Sequence, residues 1–105
     1  MALDIITTQR DQGLVVLATG EIDVSCADEL RDAIDSAFEQ KPSFVTVDLA
    51  QVPYIDSTGI GVLVGAAHRA LDEAIEFSVT NPQRNVKRVL DLLGVTRELG
   101  IVAEA

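Results

Sequence analysis

Apolar residues recur along this chain in two alternating rhythms. Leu3 to Thr8 and Leu14 to Thr19 are short, β-branched runs separated by Asp11-Gln12-Gly13, the pattern of an antiparallel hairpin in which Gly13 supplies a turn position. The spacing then changes. Ala27, Leu30, Ile34, Ala37 and Phe38 repeat at helical intervals, with Ser25 and Asp28 as a capping-box-like start, and the helix is expected to end before Lys41-Pro42. Phe44 to Leu49 reverts to strand character, and Pro53 closes it off. From Ile60 onward, Leu63, Val64, Ala67 and Leu71 predict a second helix from Ser57 to about Asp72. Ile75 to Thr80 predicts another strand. Asn81-Pro82 reads as an N-cap followed by proline at the first helical position. Val86, Val89, Leu90 and Leu93 line a third helix that Gly94 would close. Val95 to Leu99 predicts a short turn or helix, and Ile101-Val102 a final edge strand.

This order predicts an α/β fold: a mixed sheet of four to five strands, mostly parallel with one antiparallel strand at the N-terminal end, and helices packed against it. With 105 residues, 48% of them hydrophobic, the chain suits one domain spanning 1–105. The apolar run from Gly59 to Ala67 is far short of the roughly 20 residues that cross a bilayer. Met1-Ala2-Leu3-Asp4 lacks the pattern of a signal peptide, so a cytoplasmic location is expected, and the single Cys26 fits a reducing compartment.

A net charge of -9 argues against nucleic-acid binding, which depends on neutralising phosphates with cations. The charge is uneven. Residues 1–40 hold nine acids against Arg10 and Arg31, whereas Arg84, Lys87, Arg88 and Arg97 fall in one short C-terminal stretch. Asp28, Asp32, Asp35 and Glu39 follow one another at helical spacing, an acidic stripe best read as a solvated face. Cys26 reads as a small buried residue, although a place near a helix start can lower a thiol pKa.

The most informative stretch is Asp56-Ser57-Thr58-Gly59-Ile60-Gly61, where an apolar strand gives way to an apolar helix. Ser57 or Thr58 could simply cap that helix, with Gly59 and Gly61 allowing its first turn close approach to the sheet and Gly61 and Gly65 allowing close helix packing. An aspartic-protease reading of Asp-Ser-Thr-Gly fails for want of a second carboxylate in an all-β lobe. A dinucleotide-binding turn at Gly59-x-Gly61 lacks the adjoining βαβ unit. A serine nucleophile lacks its base, since His68, the only histidine, stands roughly 16 Å from Ser57 along the helix. With no acid–base pair, metal cluster or cofactor loop assembled, a non-enzymatic role is expected. Phosphorylation fits the position better: it adds about -1.5 to -2 charge at a helix entrance whose backbone N–H groups can receive it.

Gly20-Glu21-Ile22-Asp23, Asp56-Ser57-Thr58-Gly59-Ile60-Gly61 and the Asn81-Pro82 to Gly94 helix, in this order and spacing, resemble the STAS domain of bacterial anti-sigma factor antagonists (anti-anti-sigma factors). The resemblance covers almost the whole chain. It implies a partner-switching cycle in transcription regulation and stress response. The unphosphorylated antagonist binds an anti-sigma factor that is also a serine kinase and so releases the sigma factor. The kinase, using the ATP that it binds, phosphorylates the first hydroxyl after the motif aspartate, here Ser57, and a PP2C-type phosphatase reverses this. The resemblance also places Glu21, Asp23 and Ser25 beside Asp56, Ser57, Thr58, Gly59 and Ile60 in one docking surface, with no cofactor, metal, membrane or nucleic acid involved. Leu71-Asp72-Glu73-Ala74 departs from the glycines of many relatives, away from that surface. The alternative within the same fold is an interaction subunit of a stress-sensing or transport complex.

Overall fold

The computed structural model describes residues 3–101. Strands β1 (Asp4–Arg10) and β2 (Gly13–Thr19) form the expected hairpin, paired antiparallel from Asp4↔Thr19 to Arg10↔Gly13. Helix α1 (Ala27–Glu39) leads to β3 (Phe44–Gln51), helix α2 (Ser57–Glu73) to β4 (Glu76–Thr80), and helix α3 (Arg84–Leu92) follows. The sheet has four strands in the order β1-β2-β3-β4, and both β2·β3 and β3·β4 are parallel. Both parallel crossovers step in the same direction along the sheet. Right-handed connections of that kind place α1 and α2 on one face.

That face holds the core. Leu14, Val16 and Ala18 of β2, Val45, Val47 and Leu49 of β3, and Val79 of β4 alternate inward and join Leu30, Ile34, Ala37 and Phe38 of α1 and Leu63, Ala67 and Ala70 of α2 in one buried cluster. Val86 and Leu90 of α3 belong to the same cluster. The opposite face, with Val15, Leu17, Thr46, Asp48 and Ser78, is only half-buried. An ionic clasp ties the two crossover helices. Arg69 of α2 donates to Asp35 of α1 at 2.7 Å and to Glu73 at 2.6 Å, and its guanidinium lies 5.2 Å from the centre of the Phe38 ring. Within the acidic stripe Asp28, Asp32 and Glu39 are exposed, as a solvated face requires, while Asp35 is half-buried and pairs across the helices.

Several expectations are corrected. The hairpin turns on Asp11, whose φ is +55, while Gly13 is already in β2 and is needed because a Cβ there would meet the Phe44 ring. The N-cap position of α1 is Cys26 and not Ser25; the Ser25 hydroxyl turns back to Asp23, so no capping box forms. Asp56, one residue before Ser57, is the N-cap of α2. The α3 helix starts at Arg84 behind Gln83, because Asn81 takes φ +56 and its amide donates to Asp48. Leu71 is 80% exposed, and Val89 and Leu93 of the third apolar stripe are also exposed. Gly94, at φ +72, does close α3. Residues 95–101 form turns that pass the outer edge of β4, where Val79 N–H donates to Leu99 C=O at 2.9 Å. Ile101 is in no strand, and Val102 lies outside the described residues.

Candidate functional site

Two loops leave the C-terminal ends of β2 and β3 and are stitched together. Leu17 pairs with Asp48 but Thr19 with Gln51, so β3 carries one extra residue, a bulge that bends its exit. Beyond it the chains re-engage. Ile22 and Ile55 form a parallel bridge, with Ile22 N–H donating to Tyr54 C=O at 2.9 Å and Asp56 N–H to Ile22 C=O at 3.0 Å. Pairing thus continues past the sheet and holds residues 20–26 against residues 54–60.

Asp56 locks this arrangement with one carboxylate. Its Oδ1 accepts from Thr58 N–H at 2.9 Å and Gly59 N–H at 3.1 Å, the work of an N-cap, and its Oδ2 accepts from Val24 N–H at 3.1 Å in the other loop. A carboxylate here also faces the positive end of the helix dipole. Gly59 lets the helix sit this close. A Cβ at that position would stand 2.6 Å from Ile22 Cγ2 and 2.8 Å from Ile55 Cγ1, whereas Gly61 and Gly65 have nothing within 4 Å. The close approach expected of Gly59 and Gly61 therefore belongs to Gly59 alone, and the close helix packing expected at Gly61 and Gly65 is absent.

In the first loop Asp23 takes the same part on a smaller scale. Its carboxylate accepts from Ser25 N–H at 2.9 Å and Ser25 Oγ–H at 2.5 Å, and its C=O receives the N–H groups of Cys26 and Ala27. The Ser25 hydroxyl and then its N–H, with a smaller contribution from the Cys26 thiol, hold the Asp23 carboxyl below its usual 3.8. Cys26 is buried and its thiol donates to Glu21 C=O at 3.3 Å, so it props the loop from behind.

The structure brings Glu21, Asp23, Ser25, Asp56, Ser57 and Thr58 to one rim. Glu21, Ser25, Ser57 and Thr58 are exposed, and Asp23 and Asp56 half-buried. Gly59 and Ile60 are placed differently: both are buried, with Ile60 only 5% exposed, so they form the floor behind the rim. Two apolar residues join the rim that the sequence did not single out. Val24 is 73% exposed at the tip of one loop and Tyr54 49% exposed in the other. His68 pairs with Glu98 at 2.7 Å, away from Ser57.

Among the described residues, no group of three His, Cys, Asp or Glu side chains could hold a metal ion, and no helix is long and apolar enough to cross a membrane. The rim presents the hydroxyls of Ser25, Ser57 and Thr58, the carboxylates of Glu21, Asp23 and Asp56, and the apolar Val24 and Tyr54.

Residues 4–104 match the family model of the STAS domain. The anti-sigma-B factor antagonist of Staphylococcus epidermidis is 30% identical over 95 residues, covering 90% of this chain and 88% of that protein. Among solved structures, an anti-sigma factor antagonist from Mycobacterium paratuberculosis superposes with a TM-score of 0.88 at 23% identity, over 98% of this chain and 87% of that one. The Bacillus cell fate determinant SpoIIAA in its phosphorylated form superposes with a TM-score of 0.70 at 20% identity, over 98% and 93%. At these identities the structural matches speak for the fold.

Proposed function

Because the chain belongs to the STAS domain family, we propose that it is an anti-sigma factor antagonist, a binding protein rather than an enzyme, whose rim docks onto an anti-sigma factor serine kinase. The observation that carries this reading is the placement of Ser57. It is exposed at the first position of α2, on the second of the two stitched loops, while the Thr58 and Gly59 amides behind it are already taken by Asp56.

A phosphoryl group on Ser57 would therefore not inherit those amides. It would stand beside the Asp56 carboxylate, adding about -1.5 to -2 charge to a rim that already carries Glu21, Asp23 and Asp56. The stitched loops resist relaxation, so the added charge is met by the partner and not absorbed by the fold. Unphosphorylated, the rim offers Val24, Tyr54 and small polar groups to the kinase, which binds the ATP; phosphorylated at Ser57, it is repelled and the sigma factor is recaptured. A PP2C-type phosphatase resets the cycle, which takes place in the cytoplasm.

Calorimetry with the cognate kinase tests this. Ser57→Asp should weaken binding by at least about ten-fold, about 1.4 kcal/mol, while Ser57→Ala binds like the wild type and takes up no phosphate when incubated with kinase and ATP. Equal affinities for Ser57→Asp and the wild type would remove the docking claim.

A further inference from the structure

The two edges of the sheet are finished differently. At β4 the outer edge is met by residues 99–100: Leu99 C=O accepts from Val79 N–H, and Gly100, at φ +65, lies so close that a Cβ there would be 2.9 Å from Phe77 C=O. At β1, by contrast, no described residue pairs with the outer edge. Natural sheets blunt such edges with proline, charged side chains (lysine above all), bulges or very short strands. The β1 strand has seven residues, Asp-Ile-Ile-Thr-Thr-Gln-Arg, with an unbroken register to β2, no proline, lysine or bulge, and charges only at its two ends.

The direction of its backbone groups follows from the hairpin. Arg10 and Gly13 flank a two-residue loop, so they exchange hydrogen bonds, and alternation along the ladder turns Arg10, Thr8, Ile6 and Asp4 toward β2. The N–H and C=O groups of Ile5, Thr7 and Gln9 then point outward. The strand is also self-complementary in charge. Its two charged residues have opposite signs, stand at opposite ends, and share the sheet face that carries Ile6 and Thr8.

We propose that β1 is a self-association edge: two copies of this chain pair their Asp4–Arg10 strands antiparallel about a two-fold axis at Thr7, joining two four-stranded sheets into one continuous sheet. In that register Ile5 pairs with Gln9 of the second copy and Thr7 with its own counterpart, each exchanging both backbone bonds. Asp4 falls opposite Arg10 of the second copy at both ends, in the pair type where side chains approach most closely. Ile6, 61% exposed in one copy, lies opposite Thr8 of the other. Moving the axis to a neighbouring outward-facing residue shortens the overlap and separates the charges, which singles out Thr7. The pairing runs along the strand and leaves the rim at the sheet's end uncovered, and the two rims face opposite ways. An edge-only interface is small, so the dimer is a weak one.

Sedimentation equilibrium tests this at about 0.15 M salt, where repulsion between the two acidic copies is screened beyond about 8 Å. The wild type should pass from monomer toward dimer between about 10 µM and about 1 mM. Arg10→Asp sets like charges opposite one another at both ends and should weaken the dimer about ten-fold or more, and the double exchange Asp4→Arg with Arg10→Asp should restore it to within about three-fold. Thr7→Pro removes an outward N–H that the monomer does not use and should leave a monomer; its circular dichroism and melting check the fold, and if it fails to fold, the charge-exchange set decides. A wild type that stays monomeric at the highest concentration, or an Arg10→Asp variant that dimerises like the wild type, overturns the proposal. So does a double exchange no better than the single one.

Discussion

Replacing Asp56 by alanine removes, from one side chain, the acceptor of three backbone N–H groups in two segments. Loss of an N-cap side chain costs about 1 kcal/mol, and loss of a negative charge at a helix entrance about 0.5 kcal/mol more. The Val24 bond is worth about 1 kcal/mol net, since Val24 is exposed and its freed N–H finds water. Asp56→Ala should therefore lose about 2 to 3 kcal/mol, a fall in melting temperature of about 10 °C for a domain of this size. Asp56→Asn keeps a cap oxygen but loses the charge and the acceptor for Val24, so about half of that loss is expected. Urea unfolding followed by circular dichroism, with m unchanged, gives the free energies. Amide exchange gives the location: Val24, Thr58 and Gly59 should lose protection in the alanine variant, and Val24 alone in the asparagine variant. An alanine variant within about 0.5 kcal/mol of the wild type would refute the stitching argument, as would protection at Val24 that survives both changes.

The glycines of α2 give opposite results from one substitution. Gly59→Ala places a methyl against Ile22 and Ile55 and should destabilise by about 1 to 3 kcal/mol, whereas Gly61→Ala and Gly65→Ala, with open space around them, should each stabilise by about 0.5 to 1 kcal/mol; three equal denaturation midpoints would show that the close approach at Gly59 is not real. For Asp23 the sign is that of a carboxylate depressed by hydrogen bonds. Its contribution to the loop is complete above the usual 3.8 and is lost as pH falls through the lower value of the folded protein. A carbon-detected titration should find the Asp23 midpoint below 3.8, and Ser25→Ala should move it back up; a wild-type midpoint at or above 3.8 would contradict the Ser25 bonds.

Among the described residues periodicity located the four strands and three helices, because a sheet with helices on one face imposes that alternation on its residues, but the further edge strand it suggested does not form at Ile101. What periodicity cannot report is how far the core extends. Leu71 continues the spacing of Leu63 and Ala67 yet is exposed in the last turn of α2, and Leu93 does the same beyond α3. The cap of α2 was hidden for a related reason. Asp56, Ser57 and Thr58 are all capping residues, and which of them caps depends on where the chain leaves its extended path, a point fixed by the bridge between Ile22 and Ile55. The same contact, remote in sequence, distinguishes Gly59 from Gly61, and the stitched loops expose Val24 and Tyr54. Ser57 could be singled out by chemistry; its apolar neighbours on the rim required the fold.

Each strand of this sheet lies beside its predecessor in the chain, from β1 to β4. No strand has to wait for a partner made much later, so the sheet can grow by accretion, the hairpin first and one crossover at a time, as the chain leaves the ribosome. Few loops of long sequence separation need closing before contacts repay their entropy. The rim spans the same separation as the β2·β3 ladder, where Leu14 pairs with Val45. Its ties join Ile22 and Val24 to residues about thirty positions later, so it closes only after β3 has docked and α2 has begun. The rim thus forms only once α1 and β3 are in place behind the hairpin, and a product truncated before α2 would carry the hairpin without it.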